Sequence, residues 1–231
     1  AAVYIAEEKG YFFEQNIDVE ILHSGGGGEN IQLLLSHKVH VTTSDANSVL
    51  KYRASQKTPL VAIALFGQTG QQAFVSLKES GINSPKDWSG KKFGYKISIP
   101  PDYLAIIDAQ EVNRNSIEEI QVGFDPRILI EGKVDILAVF KSNEPDTLRK
   151  MGHDVNVFEA AKYGVPTLGL TYVVTETHLK THSDENQRFL RATLKAVDFI
   201  KNNEDEALDI VMKYADKEDK EHMRFMLATE M

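Results

Sequence analysis

Apolar and polar positions along this chain follow two periods, and the switches between them mark out its elements. Ala1 to Lys9 carries apolar residues at helical spacing and stops at Gly10, which predicts an amphipathic helix. Tyr11, Phe12 and Phe13 follow and are expected to pack the helix end onto the core. Ile17, Val19 and Ile21 alternate with Asp18 and Glu20, the pattern of a half-buried strand. Four glycines, Gly25 to Gly28, then precede a helix over Glu29 to Ser36 with Ile31, Leu34 and Leu35 inward. Strands are expected at Val39–Thr43 and Leu60–Phe66, joined by a helix that Ser44 and Asp45 cap and that runs to about Gln56.

The alternation continues beyond Phe66. Ala73–Leu77 reads as a strand, and Gly81 to Gly90 as a loop holding Pro85 and the single tryptophan, Trp88. Strands at Lys92–Tyr95, Glu119–Val122, Val134–Val139 and Val155–Phe158 are separated by helices at Pro101–Val112, Pro126–Glu131 and Glu144–Met151. Gly164 to Thr167 has the composition of a linker, and Leu168–Thr175 is again β-rich. Ser183 opens a long helix to about Asn202, with Phe189, Leu190, Thr193, Leu194, Val197 and Ile200 as its inward stripe. Strand following helix in this way predicts an α/β protein with mainly parallel sheets flanked by helices.

Composition narrows the function classes. A chain of 231 residues can hold two lobes of roughly 100 residues each. Net charge is −8 with Lys and Arg scattered, which excludes the basic footprint of a nucleic-acid binder. No apolar run approaches the roughly 20 residues a membrane helix needs. The absence of cysteine removes disulfides, thiolate metal sites and cysteine nucleophiles together. Of the seven histidines only His178 and His182 have a metal-like spacing, and they flank an exposed turn, so no metal site is expected. No Lys-Ser/Thr follows the glycines, so they are not a nucleotide loop. No catalytic residue and no cofactor is expected. Ala1 has neither a helix cap nor a strand before it, which reads as a chain whose signal peptide and first strand precede it.

Candidate ligand contacts fall where strands run into turns and helices, because ligands of open α/β sheets bind at the carboxyl ends of strands. Gly25, Gly26 and Gly27 let backbone amides approach a carbonyl or anionic group, or serve merely as a turn. Ser44 and Asp45 offer acceptors for ring N–H or hydroxyl donors, or simply cap a helix. Phe66 supplies a stacking face and Gln68 a two-way amide. In the second half, Tyr95 and Lys96 follow one strand, and Phe140, Asn143 and Glu144 follow another. Tyr172 lies on the returning strand, as pocket wall or core residue. Asp125 after Phe124 reads as a helix cap.

The order of several motifs resembles a known family. These are YIAEEKGYFFEQNIDVEI, the glycine turn, LLLSHKVHVTTSDA, SLKESGINSPKDWSGKKFGYK, EGKVDILAVF, GLTYVVTETHL and RFLRATLKAVDFI. The chain is similar to type II periplasmic solute-binding proteins of ABC importers, in the branch that holds alkanesulfonate-, thiamine-pyrimidine- and riboflavin-binding members. Fungal thiamine-pyrimidine synthases share that branch. The resemblance implies a two-lobed fold with two crossover strands and ligand held between the lobes. Lobe 1 is expected at residues 1–78 and 168–231, lobe 2 at 79–167, and the hinge near 76–84 and 160–169. It implies capture of a planar heterocycle, a membrane permease as partner, action as a monomer, and export to the periplasm or a lipid-anchored place at the cell surface. Two alternatives accompany it: an extracellular sensing domain of a receptor, and a pyrimidine-synthase-like enzyme. The fungal enzymes use a histidine, a lysine-bound pyridoxal phosphate and a cysteine-rich motif, and this chain has no cysteine.

Overall fold

The computed structural model describes residues 1–23, 29–67, 69–215 and 219–230. In chain order, helices α1 (Ala2–Glu8), α2 (Tyr11–Glu14) and α3 (Glu29–Leu35) precede strand β1 (Thr42–Asp45), helix α4 (Ala46–Gln56) and strand β2 (Leu60–Leu65). Next come β3 (Gln72–Leu77), β4 (Lys92–Tyr95), α5 (Pro101–Ala109), β5 (Glu118–Gln121), α6 (Arg127–Ile130), β6 (Ile136–Phe140), α7 (Glu144–Lys150) and β7 (Val155–Phe158). Strand β8 (Leu170–Thr175) leads into helices α8 (Glu176–Thr181), α9 (Ser183–Asn202), α10 (Glu204–Met212) and α11 (Lys220–Glu230). These elements form two compact units, one of Ala1–Phe66 with Thr171–Met231 and the other of Gly67–Leu170.

The first unit has a sheet of order β1-β8-β2, in which β2 and β8 run antiparallel with Leu65 opposite Thr171. Its larger core lies under α9, which buries Phe189, Ala192, Thr193, Ala196 and Ile200 at helical spacing. The small Ala192 and Ala196 let α1 lie close against this face, where Ile5 and Ala6 are fully buried. Burial of a side chain such as Ile5 contributes about 1.5–3 kcal/mol. Leu194, expected in the stripe, is exposed: the inward arc is centred on the alanines instead. Phe12 stacks on Phe189, whereas Phe13, expected inward with it, points to solvent with 86% of its surface exposed.

Two expected strands are also corrected. Residues 17–21 alternate in sequence but form no ladder; Ile17 and Val19 rest on the core from an extended segment. The strand expected from Val39 begins at Thr42, because the amides of Lys38 and Val39 still close the end of α3 by bonding to Leu33.

The second unit has a five-stranded sheet of order β5-β4-β6-β3-β7. It is mixed rather than mainly parallel: β4 pairs parallel with β5 and β6, while β3 pairs antiparallel with β6 and β7. Alternation along the central strands explains its two cores. Phe74, Phe93, Ile136 and Ala138 face an aromatic layer with Trp88, Tyr103 and Phe158, in which Phe93 and Tyr103 stack at 4.0 Å. Ala73, Val75, Leu137 and Val139 face the other way, onto Leu129 and Leu148. Strand β6 is thus buried on both faces, which is why it reads as an unbroken apolar run.

Because β3 pairs inside this sheet, the chain passes between units at Phe66–Gly67 and Leu170–Thr171, ahead of the boundary expected at residue 78 and beyond that at 168. The two crossing segments bond to each other, Gly67 N–H to Leu170 O and Gly169 N–H to Gly67 O, both at 3.0 Å. A Cβ at Gly169 would stand 2.3 Å from the Thr69 carbonyl oxygen, so only glycine permits this approach.

Candidate functional site

Strands β5, β4 and β6 are parallel neighbours, so their carboxyl ends share one edge of the second unit. The connection after β4 runs outward to β5 on one side; the one after β6 runs to β7 on the other. The order of strands reverses between β4 and β6, the position at which open α/β sheets bind ligands. Lys96 follows β4 there, while Phe140 ends β6 and Glu144 opens the helix after it.

Glu144 is the first residue of α7, yet its carboxylate does not serve that helix. It turns back toward the sheet, where one oxygen accepts the Phe140 N–H at 2.9 Å and the other pairs with the Lys96 ammonium. Both side chains are buried, Lys96 to 10% and Glu144 to 6% exposure. The ammonium also lies 5.3 Å from the ring centre of Phe124 and 5.4 Å from that of Phe140. The rings themselves are exposed, Phe124 by 64% and Phe140 by 49%. The result is a buried ion pair flanked by two partly exposed aromatic residues.

The next lysine is held in a similar way. Lys141 reaches the Thr69 hydroxyl at 2.5 Å and the Glu159 carboxylate at 3.6 Å, and its backbone N–H bonds to Gln71 O. Glu159 also pairs with Lys162 at 2.7 Å, and that hydrogen bond, against the opposing effect of burial, holds its carboxyl below the ordinary range. Beside Phe124, Arg127 clasps Asp125 through Nε at 2.9 Å and Nη2 at 2.5 Å, which holds the Asp125 pKa down at about 2. Lys141 is not among the contacts expected from sequence, whereas Phe124 is read there as one of the strand-end aromatics that favour a flat ring. Phe124 carried a signal, an aromatic after a strand; Lys141 owes its setting to Thr69, Gln71 and Glu159, all distant in sequence.

Tyr95 and Asn143 have different settings. Tyr95 lies on the Phe93 side of β4, packed against the aromatic layer at 6.4 Å. Half-buried Asn143 stands before α7 and donates its backbone N–H to Phe140 O at 3.0 Å.

The first unit holds the remaining candidates. Asp45 caps α4 by accepting the N–H groups of Asn47 at 2.9 Å and Ser48 at 3.3 Å. Burial raises its pKa above the ordinary carboxylate range, and the two backbone bonds work against that rise. Ser44 bonds only weakly to Asp45 O at 3.4 Å, and Asn30 ties the start of α3 to Thr43 O. Phe66 packs on Tyr172 at 4.6 Å, and Tyr172 in turn meets Phe189 edge-on at 5.2 Å. Tyr172 is 6% exposed, and burial pushes its pKa up to about 12. It belongs to the core beneath Phe66. Gly25, Gly26, Gly27 and Gln68 lie outside the described residues.

His178 and His182 stack at 4.6 Å, and His40 stacks on His178 at 5.3 Å. Among the described residues, no group of three or more His, Asp or Glu is arranged to hold a metal ion. The chemistry on offer at the second unit's edge is stacking and hydrogen bonding. Its least exposed carboxylate, Glu144, and its least exposed ammonium, Lys96, are paired with each other.

Comparison with known proteins agrees with this fold. The chain is 28% identical over 221 residues to a formylaminopyrimidine-binding protein of Halalkalibacterium halodurans, covering 93% of this chain and 66% of that protein. It is 24% identical to the riboflavin-binding protein RibY of Chloroflexus aurantiacus, covering 93% of this chain and 62% of RibY. The chain thus spans roughly two thirds of the length of these relatives. Among solved structures, the periplasmic aliphatic sulphonate binding protein SsuA of Escherichia coli superposes with a TM-score of 0.83 at 10% identity, covering all of this chain and 75% of SsuA. The α/β fold is that of the periplasmic binding proteins. A profile of the NMT1/THI5 like family matches residues 1–207, and the chain belongs to that family.

Proposed function

We propose that this chain is the substrate-binding component of an ABC importer and that it captures a planar heterocycle of the pyrimidine or flavin class, releasing it unaltered. The observation that carries this reading is the pair of exposed rings, Phe124 and Phe140, above the Lys96–Glu144 pair at the reversal point of the second unit's sheet. Exposed aromatic faces stack on a flat ring, and the spare N–H groups of Lys96 suit a ring nitrogen or carbonyl. A pyrimidine-binding and a riboflavin-binding relative support the ligand class. A nucleophile or base free to act is lacking among these groups, which supports capture over catalysis. The reading includes a membrane permease as partner, export to the periplasm or a lipid-anchored surface location, monomeric action, and a hinge where Gly67 and Gly169 meet.

The test is a thermal-shift and calorimetric titration with formylaminopyrimidine and with riboflavin, followed by mass spectrometry of the recovered ligand. One of them at one hundred times its Kd is expected to stabilise the protein by about 2.7 kcal/mol and to return with unchanged mass. Flat melting curves with both would remove the ligand class. A changed mass would remove the transport reading.

A further inference from the structure

The cations of this edge share a property that bears on ligand charge. Lys96 is paired with Glu144, Lys141 with Glu159, and Arg127 with Asp125. Each of these three positive groups therefore faces a carboxylate, although Lys141 shares Glu159 with Lys162. The three pairs are not equivalent. Arg127 and Asp125 are exposed and screened by water, so their balance matters little to a ligand. Lys141 and Glu159 stand 3.6 Å apart, and Glu159 divides its charge between two lysines. Only Lys96 and Glu144 are both buried, and only their ammonium sits against the two stacking rings.

A buried charge is felt strongly at short range, because little water lies between it and a ligand. A lone buried ammonium beside two rings would be a strong site for a small oxyanion. Glu144 cancels it. An anion that approaches the Lys96 ammonium meets the Glu144 carboxylate already bonded to it, and juxtaposed like charges disfavour the wrong partner. A neutral ring meets no such repulsion and can still accept one of the remaining ammonium N–H groups.

We infer that Glu144 is the specificity-determining residue of this site: it neutralises Lys96 so that uncharged rings are admitted and small oxyanions are refused. This rests on the reading of the Phe124–Phe140 edge as a ligand site, and it adds to that reading the charge class of the ligand. Glu144 acts through Lys96 and is a positioning residue; its contact with the ligand is not required.

The experiment uses methanesulfonate and inorganic phosphate as probes on three proteins: wild type, Glu144→Gln, and the double variant Glu144→Gln/Lys96→Met. Binding is read by calorimetry and by melting temperature. Wild type is expected to bind neither anion in the millimolar range. Glu144→Gln, whose Lys96 charge is bare, is expected to bind at least one of them with a Kd lower by at least about tenfold. The double variant has no charge to offer and is expected to behave as wild type, which also removes the general stabilising effect of such salts on any protein.

Anion binding by wild type equal to that of Glu144→Gln would overturn the inference, as would a folded Glu144→Gln that ignores both anions. A Glu144→Gln protein that is unfolded alone but folds on addition of phosphate, at concentrations that leave the melting temperature of the double variant unchanged, supports it, because the anion then replaces the lost carboxylate. One that stays unfolded with either anion overturns it. No heterocycle enters this assay, so flat curves with riboflavin and formylaminopyrimidine leave its result standing, and the two readings fail separately.

Discussion

Asp45 and Glu144 stand at equivalent places, each at the junction of a strand with the helix that follows, yet their oxygens are used in opposite ways. Asp45 accepts N–H groups two and three residues ahead of it, inside its own helix. Glu144 ignores its helix and bonds backward, to the Phe140 amide and to a lysine 48 residues away. An acid with local partners ends a helix neatly and does little else. An acid whose partner arrives from another strand ties two strand ends together and sets the charge of the edge between them. Position in the chain does not separate these roles; the sequence distance to the partner does.

The largest test of this contrast is Glu144→Ala. It leaves the Lys96 ammonium buried without a partner and the Phe140 amide without an acceptor, and it is expected to cost about 3–5 kcal/mol in urea unfolding. A loss below about 1 kcal/mol would mean that the pair is effectively solvated, and the contrast would break. Asp45→Ala removes a cap and is expected to cost about 0.5–2 kcal/mol, most of it restored by Asn at the same position. Equal losses at the two acids would also end the distinction.

Phe124→Ala and Phe140→Ala sharpen the comparison from the other side. Phe124 is mostly exposed and Phe140 about half exposed, so unfolding free energy should move by about 0.5 kcal/mol or less for Phe124 and by about 1 kcal/mol for Phe140. Binding of whichever heterocycle the wild type takes should weaken by about 0.5–1.5 kcal/mol for each ring. A stability loss without a binding loss would assign the rings to packing.

The smallest effects are in pH. Asp45 has a folded pKa raised above its ordinary 3.8, so between the two values the folded state holds more protons than the unfolded. Its stabilising contribution is full below 3.8 and is lost as pH rises through the folded value. His178 runs the other way. Burial first, then the charges of His182 and His40, lower it from 6.5, so the unfolded state binds more protons and stability falls as pH drops below 6.5 toward the folded value. Urea unfolding measured across pH, with Asp45→Asn and His178→Gln as controls, is expected to show these opposite slopes disappear one at a time.

Much of the fold was legible where one physical signal dominated. Strands β4 and β7 begin and end where alternation and flanking breakers put them, and α9 spans Ser183–Asn202 as its apolar stripe requires. The failures have a common cause. Ile17 to Ile21 alternate as a strand would, but alternation describes a segment lying on a core whether or not a neighbour completes the ladder. In α9 the contact with α1 needed the smallness of Ala192 and Ala196, which carries little hydrophobic signal, so Leu194 was drawn inward in error. The site divides likewise. Lys96 and Glu144 were each visible at a strand end, but their union depends on β4 and β6 being neighbours, a fact of topology. For Tyr172 the sequence left pocket wall and core residue open, because strand residues alternate faces and nothing local says which face meets Phe189.

The register of β2 against β8 has one further consequence. Leu65 and Thr171 lie opposite one another, and with Phe66 they flank the whole stretch from Gly67 to Leu170. In terms of connectivity, the second unit is a cassette spliced into the bend of a β-hairpin. Excising it would leave two facing strand ends that a tight turn of about two residues can join. Each half of the molecule is therefore a natural object for separate expression, one as a continuous insert and the other as its resealed host.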